Sequence, residues 1–381
     1  MRHVLTVDIG TGTQDIFLFR EGFAIENGFK LVMPSPTMMV RDKIQEATRR
    51  GEDILLGGVT MGGGPSHWAA EAHLARGYRV FATPEAAQTF NDDLEWVEHE
   101  MGVKLISEDE ARSQENVRRI TLQDFDLEAI REAFTAFGIK LNLDGVGVAV
   151  FDHGAAPSNI SDRKFRFEYL ERRILEENRL SAFAYIAEQV PEILSRMRAV
   201  SASAACLDCP LVLMDTAPAA VLGATLDPVA AQQARALIAN IGNFHTLAFR
   251  LGPSGIEGVF EHHTGLLDHA RLDTLLESFA TGTLKGDDVF NDHGHGAHTI
   301  IPEPLPLEQE DLGVIVTGPR RSMMVESRLN HYFAAPFGDM MLTGCFGVLA
   351  AIADIIPSLQ EPICAALRGA GSENTPWDAH D

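Results

Sequence analysis

The chain has 381 residues, enough to bury a sizeable core and to suggest two domains rather than one small module. Its 54 acidic against 31 basic residues leave a formal net charge of −23, a field that repels DNA, RNA and anionic membranes, so neither nucleic acid nor membrane is an expected partner. Four cysteines, Cys206 and Cys209 as a CxxC plus the separate Cys345 and Cys364, make no disulfide framework, and a reducing, cytoplasmic setting is expected.

In chain order, "HVLTVDIG", "TGT" and "QDIFLFR" read as strand, turn and strand, so residues 3 to 20 predict a β-hairpin. The chain reaches that hairpin without the basic, apolar and small-residue regions of a signal peptide, and it is expected to stay inside the cell. "GFKLVMPS" at 28 to 35 is a third strand, the segment from Val40 to Arg50 is helical, and "DILLGGV" at 53 to 59 is a buried strand. A helix from Ser66 ends at Gly77. Residues 78 to 144 read as an insertion, with strand candidates "YRVFATP" and "GVKLIS" and a helix after Asp126. "GVGVAVFDHG" at 145 to 154 is a buried strand running into a polar loop, and a charged helical region follows from about Arg163 to Ala199. "PLVLMDTAPAAVLGA" at 210 to 224 reads as strand, turn and small-residue helix.

From Ala236 a second meander begins, "ALIANIG", "HTLAFRL" and "GIEGVFEHHTG" with "GPSG" as its second turn, and it echoes the first hairpin. A helix at 266 to 280 precedes a His-rich loop, and "DLGVIVTGPRR" at 311 to 321 is a strand entering a glycine turn. "MMLTGCFGVLAAIADIIP" at 340 to 357 approaches membrane length, but its polar, glycine and aspartate breaks predict a buried helix. The tail after Gly369 is expected to be disordered. The expected division is an N-terminal unit 1–225 and a C-terminal unit 226–368.

Taken alone, "DIGTGTQD" at 8 to 15 is as much a hairpin turn as a binding loop, because glycine and threonine fill such turns for conformational reasons. The ordered series changes its weight: "DIGTGTQD", then "DTAPAAVLG" at 215 to 223, "NIGNFHT" at 240 to 246 and "VTGP" at 316 to 319. That series resembles the sugar kinase, chaperone and actin superfamily, in which two duplicated α/β domains clasp ATP and magnesium between two phosphate hairpins. The resemblance implies an α/β protein of two actin-like ATPase (ribonuclease H-like) domains with an interdomain cleft.

On that resemblance Asp8 is the magnesium ligand, and Gly10, Thr11, Gly12 and Thr13 wrap the phosphates. Asn240, Gly242, Asn243, His245 and Thr246 form the second phosphate hairpin, with asparagine where the family commonly has aspartate. Thr317, Gly318 and Pro319 match the adenosine motif, and the following Arg320 and Arg321 are candidates to offset phosphate charge. Ala219, Ala220 and Gly223 match the close-packed connecting helix, and Asp215 stands near a catalytic or water-positioning acid of several relatives.

A nearer resemblance is to an uncharacterised prokaryotic family labelled as a pyruvate formate-lyase activating enzyme, carried by "DIGTGTQD", "FDHGAAP", "MDTAPAAVLGA", "NIGNFHT", "EHHTG" and "DHGHG". Radical chemistry on S-adenosylmethionine needs a CxxxCxxC triplet, and the sequence has none. The Cys206 and Cys209 pair reads as idle or buried rather than redox-active.

Asp152 and His153 end a buried strand at the edge where α/β ligands gather, so they are candidate catalytic residues, one as general base and the other orienting it. His293 and His295, two apart in an extended segment, face the same way and could share a metal, or be solvated loop histidines. "GGVTMGGGPSHW" at 57 to 68 lacks both GK[ST] and GxGxxG and predicts a tight turn at a cleft wall. The expected function is Mg-ATP-dependent phosphotransfer or hydrolysis on an unidentified small molecule or partner protein, by a monomer or homodimer. A metal-dependent hydrolase built on Asp152, His153, His293 and His295, or a nucleotide sensor without turnover, are the alternatives.

Overall fold

The computed structural model describes residues 1–157, 160–307 and 312–369; the tail expected to be disordered lies, beyond Gly369, outside the described residues. Its strands in chain order are β1 (His3–Ile9), β2 (Thr13–Arg20), β3 (Phe29–Pro34), β4 (Asp53–Gly58), β5 (Val80–Ala82), β6 (Lys104–Leu105), β7 (Val117–Leu122) and β8 (Gly145–Val150). There follow β9 (Ala184–Ile186), β10 (Leu211–Asp215), β11 (Ala236–Ile241), β12 (His245–Gly252), β13 (Gly255–His263), β14 (Gly296–Thr299), β15 (Val314–Thr317) and β16 (His331–Phe333).

Two six-stranded sheets share one plan. The first runs β3-β2-β1-β8-β10-β9 and the second β14-β13-β12-β11-β15-β16. In each, a leading strand pairs antiparallel with the second (β1 with β2, β11 with β12) and parallel with a later one (β1 with β8, β11 with β15). The second and third strands of each sheet are antiparallel as well. Setting aside the extra edge strands β9 and β14, both sheets have the order 3-2-1-4-5, the duplicated arrangement of the actin-like ATPase fold.

The apolar runs explain why the sheets are covered on both faces. Val4, Phe17 and Phe19 pack with Phe346, Leu349 and Ile352 of the helix Thr343–Ile355, whereas Leu5, Val7 and Leu18 pack with Phe134 and Met197 on the other face. The helix Thr343–Ile355 is the buried helix expected from "MMLTGCFGVLAAIADIIP", and no described helix is long and apolar enough to cross a membrane. It and the helix Pro357–Leu367 pack on the first sheet, so the chain returns there after building the second. At its crossing with the helix Thr216–Ala224 the backbones touch: a Cβ on Gly223 would stand 1.8 Å from the Thr343 carbonyl oxygen, and one on Gly347 1.8 Å from that of Ala219.

A third, four-stranded parallel sheet, β6-β5-β4-β7, has its own core and begins at Asp53, upstream of the insertion expected around 78–144. The charged region expected to be helical from Arg163 to Ala199 is broken: helix Asp162–Glu176, then edge strand β9, then helix Ser195–Ser203. "AYI" at 184 to 186, with an aromatic and a β-branched residue, pairs with β10, and Pro191 cannot continue a helix. The His-rich loop likewise contains the helix Gly286–Asn291 and the edge strand β14.

Candidate functional site

The two sheets present matching turns. Between β1 and β2 the Gly10 amide donates to the Thr13 carbonyl at 2.9 Å, and between β11 and β12 the Gly242 amide donates to the His245 carbonyl at the same 2.9 Å. The turn carbonyls are also anchored: the Ser35 amide donates to Gly12, its hydroxyl to Thr11, and the Thr264 amide to Phe244. Among the described residues the amides of Thr11, Gly12, Asn243 and Phe244 have no acceptor. Thr11, Asn243 and Phe244 line one cleft together with Asp8, Gly10, Thr13, Asn240, Gly242 and His245. Two glycine turns with anchored carbonyls and uncommitted amides form a concave set of donors suited to anionic oxygens.

Thr317, Gly318 and Pro319 line the same cleft. Gly318 has φ 100°, and a Cβ there would meet the Ile241 carbonyl oxygen at 2.5 Å, so this turn lies directly against the second hairpin. Gly62, Gly63 and Gly64 form part of the wall, as the glycine run predicts. Arg320 and Arg321 do not line the cleft; Arg196 does, donating to Asp124 at 2.6 Å and to the Phe151 carbonyl.

Two carboxylates stand at the first hairpin. Asp8 Oδ1 accepts the Thr216 hydroxyl at 2.5 Å, and burial raises its pKa to about 6. Burial, then repulsion from Asp8, pushes Asp15 up to about 8, and its buried Oδ1 has no hydrogen-bond partner. An orphaned carboxylate oxygen beside a second acid is the donor set a hard divalent cation takes, so the residues fit magnesium. At the position of Asp8 the second hairpin has uncharged Asn240.

Beside the second hairpin lies a polar group that spans both sheets, buried at Arg166, Glu261 and His295 and open at His153. His153 follows β8, His245 opens β12 and His295 precedes β14, and each offers a ring nitrogen within 4.8 Å of the other two. His263 packs on His245 and His295, and Phe151 stacks on His245 with centroids 4.0 Å apart. Buried Glu261 lies 3.0 Å from His245 Nδ1, off hydrogen-bond geometry, and 3.6 Å from His295 Nε2. Arg166 is fully buried; it pairs with Asp215 at 2.6 Å and Glu261 at 3.0 Å, and its guanidinium lies 3.7 Å over the Phe151 ring. Burial opposes ionisation of Glu261, but Arg166 and the imidazoles overcome it and hold that carboxyl well below its usual range. Burial lowers His153 well below the ordinary imidazole value, His263 to about 4 and His295 to about 3.

The remaining expected residues are placed as follows. Asp152 is 3% exposed, with its oxygens accepting the Gly154 and Met197 amides, and burial raises it to about 6. It is held inward by those amides, whereas His153 lines the cleft. Asp215 caps the helix Thr216–Ala224 and holds Arg166, without lining the cleft. Gly12 packs on Asn243, and buried Thr246 pairs with the Thr264 hydroxyl at 3.0 Å. His293 stands apart from the imidazole trio because it occupies a turn with φ 63° before β14 begins, so the two-residue spacing to His295 is not that of a straight strand. The four cysteines are free.

Arg166 and Glu261 are central here and were not singled out from the sequence. The signal was available: Arg166 shares a helical stripe with Phe167, Leu170 and Ile174, and a charge on an apolar stripe marks a buried ion pair.

The repeated strand order and the paired glycine turns at one cleft define a protein of the actin-like ATPase fold. Within it, the chain belongs to the family described as "Putative pyruvate format-lyase activating enzyme (DUF1786)", which matches residues 61–323. No curated protein sequence matches the chain. Among solved structures it is similar to an exopolyphosphatase-like protein, at 9% identity and a TM-score of 0.26 over 76% of this chain, and it spans 61% of that protein's length. It is also similar to the ROK hexokinase from Thermus thermophilus, at 14% identity and a TM-score of 0.23, over 96% of this chain and 88% of the hexokinase.

Proposed function

We propose that the cleft binds a nucleoside triphosphate with magnesium, ATP being the expected one, and that the protein transfers or hydrolyses its terminal phosphoryl group. The observation that carries this reading is the pair of turns with uncommitted amides at one cleft, Thr11 on one side and Asn243 and Phe244 on the other. Their N–H groups bind phosphate oxygens from two directions, and the Gly318 turn lets the nucleoside approach the backbone. Asp8 and Asp15 hold the magnesium ion, which when bound offsets phosphate charge and the repulsion between the two acids. Asp215, fixed to Arg166, positions that guanidinium rather than touching substrate. Catalysis then rests on orientation and charge compensation. The acceptor meets the cleft on the side of His153 and Arg196, which line it beyond the hairpins.

The family's description speaks of an activating enzyme. An ATP-driven activator of a partner protein is compatible with this fold, whereas an iron–sulfur activator is not supported by the thiols. Cys345 is buried against the Thr6 and Asp15 carbonyls, Cys206 is exposed, and no cysteine belongs to the one cluster of three metal-ligating side chains found among the described residues.

Calorimetric titration with a non-hydrolysable ATP analogue, with and without Mg²⁺, tests the reading. Magnesium-dependent binding is expected in the wild type and lost in Asp8→Ala and Gly242→Val with circular dichroism unchanged. A wild type that binds no nucleotide would overturn it.

A further inference from the structure

We infer that His153, His245 and His295 form a second metal site, distinct from the acidic one, for a divalent transition-metal ion of the zinc type. Three imidazoles are the ligand number of open zinc centres, in which the fourth position takes water or an oxyanion. Here that position belongs to the cleft, because His153 and His245 both line it. The ring nitrogens lie within 4.8 Å of one another, and a tetrahedral ion would draw them to about 3.3 Å apart by small side-chain rotations.

Three independent features support the assignment. Both ring nitrogens of His295 are buried without a hydrogen-bond partner, an arrangement that packing alone leaves unexplained and in which a metal would take one of the two. Glu261 lies at the back of His245 and His295, where a carboxylate orients metal-binding imidazoles. The charge count also asks for a cation: the buried Arg166 faces two buried carboxylates, Asp215 and Glu261, so the group holds one negative charge in excess. Since His153 belongs to the first sheet and the other two to the second, a bound ion would also tie the two halves together across the cleft.

The site does not depend on nucleotide binding, and its test does not either. Full-length protein stripped with chelator is titrated with Co²⁺ and Zn²⁺, following the Co²⁺ visible spectrum and the thermal midpoint. The expected result is one equivalent of Co²⁺ with the intense bands of a low-coordinate nitrogen site, displaced by Zn²⁺, and a raised midpoint. Affinity is expected to fall at least ~100-fold in His295→Gln and His153→Gln and to persist in Asp8→Ala. Absence of those bands in the wild type overturns the inference whatever the variants do. So does binding that survives both histidine substitutions, or that is lost in Asp8→Ala, because the ion would then sit on the carboxylates.

Discussion

The turn β1–β2 and the turn β11–β12 have the same backbone and opposite chemistry. Each closes on a glycine amide at 2.9 Å and each has its carbonyls pinned by a neighbouring residue. Yet "DIGTGT" brings one acid, Asp8, with Asp15 close behind, whereas "NIGNFH" brings two asparagines, a phenylalanine and an imidazole. The two turns share the hydrogen-bonding frame and differ in side chains, so the acidic hairpin suits a hard cation and the other offers a neutral nitrogen ligand. On the proposed reading, one fold motif supplies two kinds of site within a single cleft.

The largest effect should come from cutting the link between the halves. Arg166→Leu strands Asp215 and Glu261 as buried charges, and removing one partner of such a group costs about 3–5 kcal/mol. Urea unfolding should show a much lower midpoint; a near-native midpoint would mean that the halves are held without it. Next, Asp8→Asn should weaken binding of a Mg-ATP analogue at least ~10-fold, about 1.4 kcal/mol, against no more than ~3-fold for Asn240→Ala. Equal losses in calorimetry would make the hairpins chemically equivalent and undo the contrast.

The same contrast predicts opposite pH slopes in chelated protein. Asp15 is raised from 3.8 to about 8, so the folded state binds the extra proton, and stability declines as pH climbs through that window. His295 is lowered from 6.5 to about 3, so its contribution is present above pH 6.5 and is lost as pH falls. Between pH 6.5 and 8 only the acid term operates. Melting curves there should show a falling midpoint that flattens in Asp15→Asn, while His295→Gln should flatten the acid side below pH 6.5. Slopes unchanged by either substitution would remove these groups from the account.

Much of this was legible because it is written in local pattern. Both hairpins, the connecting helix with Gly223 and the strand into Gly318 follow from β-branched alternation and turn residues, which act over a few positions. The short edge strands β9, β14 and β16 were not, since three or four residues carry no period and are fixed by pairing with distant partners. The histidine site was half legible. His153 and His295 were grouped as metal candidates, but His245, about fifty residues before His295, was assigned to the second phosphate hairpin, and only the sheet topology brings it to the other two. The pairing of His295 with His293 assumed straight backbone where the chain turns at φ 63°.

The smallest predicted effect concerns the one residue of the second turn that stacks on the helix Pro65–Ala75, which follows β4 of the third sheet. Phe244 replaces Gly12 at the matching position and stacks on Trp68 with ring centroids 5.6 Å apart, while Gly64, at φ 65°, brings the glycine run against the same ring. Aromatic pairs contribute about 0.5–1.5 kcal/mol beyond area, and Trp68 is 56% exposed, so Phe244→Gly should leave global stability within about 1 kcal/mol. Its effect should be local, because the stack is the contact by which the second hairpin holds the glycine wall of the cleft. Amide hydrogen exchange at residues 62–68 should quicken in Phe244→Gly and in Trp68→Ala alike, with the exchange of β11 unchanged. Unchanged protection at 62–68 would mean that the wall is held from its own sheet, and that the phenylalanine, unlike the asparagine and the histidine beside it, gives the second hairpin no function the first one lacks.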